Sequence, residues 1–298
     1  MKKIHLLLVG ILLVIAIICS DVLIRHYTSD NALLDTTFAS PHTAQYPVVD
    51  AKYIPDISAQ SAIVVDGDSK VVVYSKNPDI RFSPASTTKI MTALTALDYF
   101  KPSDILTVKH AIDTQGSGLA LYIGEKMTLE SLLYAMFLPS ANDAAYAVAD
   151  NFSAGVDGFI AQMNGKAKKL HLDNTQFGDP DGLFDDQDYT TAHDLAFLGA
   201  EFMKNPLLRT IVATKIKTIT SLQGDSYDIK NRNVLLGTYG VNGIKTGYTD
   251  EAGEVLVTST TLNGHTFIIV VMKSNDRFGD TQKLLQFVEQ VTFVSMHP

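Results

Sequence analysis

Two blocks of strand-forming sequence stand at opposite ends of a long helical middle, and this arrangement limits the possible folds more than any other feature of the chain. Near the front, Ala62-Ile63-Val64-Val65-Asp66, the turn Gly67-Asp68 and Val71-Val72-Val73-Tyr74 read as a β-hairpin. Near the end, Val241–Tyr248, Val255–Thr261 and Thr266–Met272 read as strands, the last two joined by Asn263-Gly264, a strong hairpin signal. Between the blocks, Leu129–Met136, Ala144–Phe152, Val156–Leu170 and Thr191–Met203 repeat apolar residues at helical spacing. A last helix is expected over about Asp280–Val291. The expectation is an α/β fold: an antiparallel central sheet built from distant parts of the chain and flanked by helices, with a mainly helical lobe inserted over about residues 100–230.

That domain is expected to span 58–298, and 46% hydrophobic residues against 19% charged are enough for a sizeable core. Ahead of it, Met1-Lys2-Lys3 leads into an apolar run from Ile4 to Ser20, interrupted only by His5, so residues 1–25 read as an export signal or anchor. Ile17 and Ile18 stand where a cleavage site needs small residues, which favours an anchor that is retained. Run on to Ile24, the segment makes about 30 Å of helix, enough to cross a bilayer. Residues 26–57, with turn-prone Ser40-Pro41-His42 and Gln45-Tyr46-Pro47, read as a tether. Cys19 is the only cysteine, so no intramolecular disulfide is expected. The histidines are scattered, with no His-Glu-x-x-His run, and neither a metal nor a cofactor is expected. A net charge of -8 and a single short basic cluster at Lys166–Lys169 argue against nucleic acid as a partner.

Three short motifs carry the chemistry: Ser86-Thr87-Thr88-Lys89, Ser140-Ala141-Asn142 and Lys245-Thr246-Gly247. Singly, each has a plain reading as a helix start, a helix cap and a surface strand; their order supplies the specificity. Ser29-Asp30-Asn31 also fits the middle pattern but precedes the first motif, and is set aside. Residues three apart on a helix lie on one side, so Lys89 can reach the Ser86 hydroxyl. A serine needs such help to act as a nucleophile. Burial near a helix N-terminus would lower the lysine pKa and let the neutral amine take the proton, as general base or, alternatively, only as an electrostatic guide. Ser140 can relay a proton to a leaving nitrogen, and the Asn142 amide can hold a substrate backbone. Lys245 supplies positive potential, Thr246 a hydroxyl for a carboxylate, and Gly247 room for a peptide against the strand edge.

With Arg81-Phe82-Ser83-Pro84-Ala85 ahead of Ser86, Pro139 ahead of Ser140, Asp181-Gly182-Leu183, and Gly243-Ile244 ahead of Lys245 and Tyr248-Thr249 behind it, the chain resembles the serine-type D-Ala-D-Ala carboxypeptidases. These low-molecular-weight penicillin-binding proteins belong to the β-lactamase/transpeptidase-like superfamily, and the resemblance runs from Ser61 to about Leu285. It implies removal of the terminal D-alanine from peptidoglycan stem peptides through an acyl-enzyme at Ser86, and acylation of Ser86 by β-lactams. It further implies an oxyanion hole from the Ser86 and Tyr248 backbone N–H groups, and a role for Arg277 at the substrate carboxylate. The location implied is outside the cytoplasm in a bacterial cell envelope, membrane-anchored through the N-terminal segment, or secreted if that segment is cleaved. Many members carry a C-terminal β-rich domain and an amphipathic helix; neither is expected after Leu285, which leaves attachment to the N-terminus. Rival readings are a DD-endopeptidase, a β-lactamase, and an idle module that binds wall peptides. The Phe177–Leu183 stretch has Asp179 and Asp181 but no glutamate to activate water, which weighs against the lactamase. An idle module would have lost Ser86, Lys89 or Lys245.

Overall fold

The two β blocks meet in one five-stranded sheet. It contains β2 (Ser61–Asp66), β3 (Val72–Lys76), β8 (Val241–Thr249), β9 (Gly253–Leu262) and β10 (His265–Ser274), in the order β3–β2–β10–β9–β8, with every neighbouring pair antiparallel. The computed structural model describes residue 20 and residues 45–49, 53–112, 117–183 and 186–295. The chain divides into two units, Met1–Ala44 with Ser295–Pro298 and Gln45–Val294, and the second holds everything that follows. The anchor expected over 1–25 and the tether up to residue 44 lie, apart from Ser20, outside the described residues. Among the described residues no helix is long and apolar enough to cross a membrane.

The central strand shows why the sheet is apolar on both sides. Phe267 to Met272 of β10 are all buried. Phe267, Ile269 and Val271 pack with Leu284, Leu285 and Val288 of α7 (Arg277–Val288), whereas Ile268, Val270 and Met272 pack with Leu195 and Leu198 of α5 (Ala192–Phe202). Alternate strand residues point to opposite faces, so a sheet covered on both sides needs a continuous apolar run. Each such side chain contributes about 1.5–3 kcal/mol on burial. The other helices are α1 (Lys89–Tyr99), α2 (Leu129–Phe137), α3 (Asn142–Asp150), α4 (Gly155–Lys169) and α6 (Pro206–Ala213). Thr128 caps α2 and Thr191 caps α5, accepting the N–H of Ser131 at 3.1 Å and of Asp194 at 3.0 Å.

Several expectations need correction. The last helix ends at Val288, and Val291–Ser295 is a strand, β11, that pairs with β1 (Gln45–Val49). Val291-Thr292-Phe293-Val294 is β-branched and aromatic, which suits a strand. β1 lies inside the expected 26–57 tether, and Ile57 is buried, so packed chain reaches back at least to Gln45. The turn signal rested on Pro47, but proline is compatible with a strand edge. The middle is also less purely helical than expected. β4 (Ile105–Thr107) pairs with β5 (Lys126–Thr128), and β6 (Ile216–Thr220) with β7 (Ser226–Lys230).

Candidate active site

Ser86 sits in a turn of 3-10 helix, Ala85–Thr88, rather than in the first turn of an α-helix; α1 begins at Lys89. Thr87 gives both its N–H, at 3.2 Å, and its hydroxyl, at 2.6 Å, to the Pro84 carbonyl, which tightens the turn. In 3-10 geometry residues i and i+3 eclipse, and Lys89 Nζ lies 2.9 Å from Ser86 Oγ. Ser83, expected as the cap, only accepts Ala85 N–H at 3.5 Å.

Lys89 is completely buried and also donates to Asn142 Oδ1 and to the Asp181 carbonyl, both at 2.8 Å. Three acceptors match the three N–H bonds of an ammonium. In the neutral amine two N–H bonds serve Asn142 and Asp181, and the lone pair accepts the Ser86 hydroxyl proton. Burial pushes Lys89 below the ordinary lysine value; Asp181 and Asp179 oppose that shift and Arg232 reinforces it. Burial pushes the Asp181 carboxyl up, against the pull of Lys89.

The loop that presents the Asp181 carbonyl is organised by its own side chains. Asp179 Oδ1 accepts the N–H of Asp181 at 2.8 Å and of Gly182 at 2.5 Å, and Oδ2 accepts Leu183 N–H at 2.9 Å. Gly182 has φ +84°, and a Cβ there would lie 1.9 Å from the Ala85 carbonyl oxygen. Only glycine lets this loop press on the turn that carries Ser86.

Opposite this pair stands a second one. Ser140 has φ +68°, in the left-handed region that non-glycine residues seldom enter. Its Oγ accepts Lys245 Nζ at 2.8 Å, and Lys245 also donates to the Thr246 carbonyl at 2.8 Å. Ser140 is not the helix cap: Ala141 holds that position, without a side-chain bond. Lys245 is buried, and burial, then Lys89, Arg232 and Arg277, push it well below the ordinary lysine value.

A cavity of about 330 Å³ opens between the pairs. Six residues singled out from the motifs and the resemblance line it: Ser86, Ser140, Thr246, Gly247, Tyr248 and Arg277. Lys89, Asn142 and Lys245 stand behind its wall in hydrogen-bond contact with one another or with the lining serines. Gly247 brings β8 against the Ser86 turn, since a Cβ there would lie 3.3 Å from Ser86 N. Arg277 donates from Nη1 to the Gly247 carbonyl at 2.8 Å, and its own N–H goes to Glu254 at 2.8 Å.

Sequence reasoning missed two lining residues, Ser117 and Arg232, which are joined by an Nη1–Oγ bond of 2.8 Å. Neither sits in a motif. Ser117 is held by its carbonyl, which accepts Asn142 N–H at 2.9 Å, and Asp143 Oδ2 pins the following segment through Leu119 and Leu121 N–H. The acidic residue after Asn142 was the available signal.

A family profile described as D-alanyl-D-alanine carboxypeptidase matches residues 48–276. The chain belongs to this family. Among family members, the D-alanyl-D-alanine carboxypeptidase DacF of Bacillus subtilis is 35% identical over 239 residues, 77% of this chain and 61% of that protein. A D-alanyl-D-alanine endopeptidase of Pseudomonas aeruginosa is 32% identical over 251 residues, 80% of each chain. The crystal structure of the Streptomyces K15 DD-transpeptidase superposes with a TM-score of 0.75 at 34% identity, covering 79% of this carboxypeptidase-family chain and 98% of that one.

Proposed function

We propose that the chain is a serine DD-carboxypeptidase that removes the terminal D-alanine from peptidoglycan stem peptides and is acylated by β-lactams at the same residue, Ser86. One observation carries the reading: a fully buried Lys89 amine, its pKa lowered, at 2.9 Å from Ser86 Oγ. As Ser86 Oγ bonds to the carbonyl carbon of the penultimate D-alanine, its proton passes to neutral Lys89. The backbone N–H groups of Ser86 and Tyr248 take the oxyanion. The C–N bond to the terminal D-alanine then breaks, and its nitrogen receives a proton through Ser140. Water cleaves the resulting ester, with Lys89 again accepting the proton, and releases the shortened stem. Thr246, Arg277 and the charge of Lys245 receive the carboxylate of the leaving D-alanine, and Asn142 contacts the substrate backbone. With a β-lactam the cleaved nitrogen stays tethered to the acyl group, which obstructs the water.

We place the catalytic domain at 58–298 together with the β1 strand ahead of it, outside the cytoplasm in the bacterial envelope and held to the membrane by residues 1–25. The Pseudomonas relative named as an endopeptidase supports a second reading, cleavage of cross-links by the same chemistry.

Intact mass of the full chain after mixing with benzylpenicillin, beside Ser86→Ala, tests the acyl-enzyme. A single long-lived adduct missing from the variant is expected. Turnover without an adduct would make the chain a β-lactamase, and neither adduct nor turnover an idle binding module. Release of D-alanine from a stem pentapeptide, compared with cleavage of a cross-linked stem dimer, separates the two peptidase readings.

A further inference from the structure

At the end of the sheet away from Ser86, the side chains of Asp66, Asp68 and His265 each bring one ligand atom to within 4.8 Å of the others. Gly247, beside the Ser86 turn, pairs with Val255 at the start of β9, whereas His265 pairs with Leu262 at its end. That interval corresponds to about 24 Å along the strand. Nothing in the acyl-transfer chemistry uses these three groups.

Asp66 closes β2 and is 1% exposed. Its Oδ2 accepts the N–H of Ser69 at 3.0 Å and the Ser69 hydroxyl, clamping the β2–β3 turn. Its Oδ1 is buried without a hydrogen-bond partner. Leaving a buried acceptor unmatched costs about 1–3 kcal/mol, and more when it is charged, so this atom calls for a cation or donor. Asp68 reaches the same place from the exposed tip of the turn. His265 opens β10, and its ring lies flat on Phe293 of β11, centroids 3.3 Å apart and planes at 9°, which fixes the imidazole plane. The cation of the same turn, Lys70, is directed to the Gly67 carbonyl.

We propose that Asp66, Asp68 and His265 bind a divalent transition-metal ion of borderline softness, zinc being the type case, as a staple between the β2–β3 and β9–β10 turns. One imidazole nitrogen with two carboxylate oxygens suits zinc, whereas calcium and magnesium select all-oxygen sets. Bonds of about 2.0–2.1 Å in a tetrahedral site put ligand atoms about 3.4 Å apart, so the ion draws the trio together by about 1 Å. The exposed Asp68 side chain can supply that movement, and water fills the fourth position. The sequence shows no such site because His265 stands far along the chain from Asp66-Gly67-Asp68; only the pairing of β2 with β10 brings them together.

The test uses the full chain without a histidine tag, stripped with EDTA and titrated calorimetrically with zinc chloride, with thermal unfolding recorded in parallel. One ion per chain at micromolar affinity is expected, with a rise in Tm that EDTA reverses. Asp68→Asn and His265→Gln, each checked for an unchanged Tm without zinc, should each weaken binding at least about tenfold. Both variants should still be acylated by benzylpenicillin at the parent rate, so this outcome stands apart from that of the peptidase test. No stoichiometric binding, or binding undiminished in both variants, overturns the proposal.

Discussion

Two serine–lysine pairs border one cavity at nearly the same spacing, 2.9 Å for Ser86–Lys89 and 2.8 Å for Ser140–Lys245, yet they are built in opposite ways. The first is local, three residues apart across one turn; the second joins a loop to a strand 105 residues away. Lys89 has Asp181, Asp179 and Asp143 near enough to offset part of its burial. The charges that bear on Lys245 are all cationic: Lys89, Arg232 and Arg277. A buried lysine with carboxylates around it can cycle between charged and neutral forms. A buried lysine among cations lacks an anion, and a substrate carboxylate is the anion that fits. The same contact distance thus supports a proton acceptor in one pair and a carboxylate receptor in the other.

The largest test of that contrast is Lys89→Met, expected to slow acylation by benzylpenicillin by about 10³-fold in single-turnover mass measurements. Lys89→Arg should be as slow, because a guanidinium does not give up its proton, whereas Lys245→Arg should stay within about tenfold of the parent. A fast Lys89→Arg enzyme would end the base assignment and leave Lys89 as an electrostatic guide. Gly182→Ala comes next. Its Cβ would strike the Ala85 carbonyl, so urea denaturation should show a loss of about 1–3 kcal/mol or more, and acylation should slow as the Asp181 carbonyl leaves Lys89. Binding of carboxylate ligands, the province of the second pair, should barely change.

Lys245→Met should cost about 10–100-fold, carried mainly by KM rather than kcat if the residue receives a carboxylate. The pH profiles should then slope in opposite directions. Lys89 works as the neutral amine, so acylation rises with pH through a pKa displaced below the ordinary lysine value of about 10.4. Lys245 is charged when it meets a carboxylate but has a lowered pKa without one, so ligand binding takes up a proton and weakens as pH rises. A falling limb in kcat/KM that survives in Lys245→Met would have to come from another group. The smallest effect is expected for Tyr248→Phe: the side chain is exposed and bonded to Asp250, while the proposed role belongs to its backbone N–H. A change in acylation rate beyond about twofold would contradict that division.

Elements with strong periodicity were legible. The helices expected over Val156–Leu170 and Thr191–Met203 fall within one residue of α4 and α5, because each has a continuous apolar stripe and, for α5, a Thr191 cap. The hairpin at Asn263-Gly264 was legible because both residues take the positive φ its turn requires. Less legible was Ile216–Lys230, where a five-residue alternation with mostly exposed side chains gives little signal. β1 was hidden by its proline and by a partner, β11, at the far end of the chain.

The sequence alone determined the chemical inventory and its order: a serine with a lysine three residues on, a Ser-x-Asn, and a Lys-Thr-Gly on a strand. It also determined the sheet-and-helix alternation, because periodicity and turn chemistry are local properties. Only the tertiary structure decided that Ser140 meets Lys245 instead of capping a helix, and that the Asp181 carbonyl becomes the third acceptor for Lys89. It alone decided that Ser117 and Arg232 reach the cavity, and that His265 stands beside Asp66. The physical reason is common to all four. Each contact spans a long stretch of chain and exists because buried polar groups must find partners once the core has closed, a condition that no short window of sequence contains.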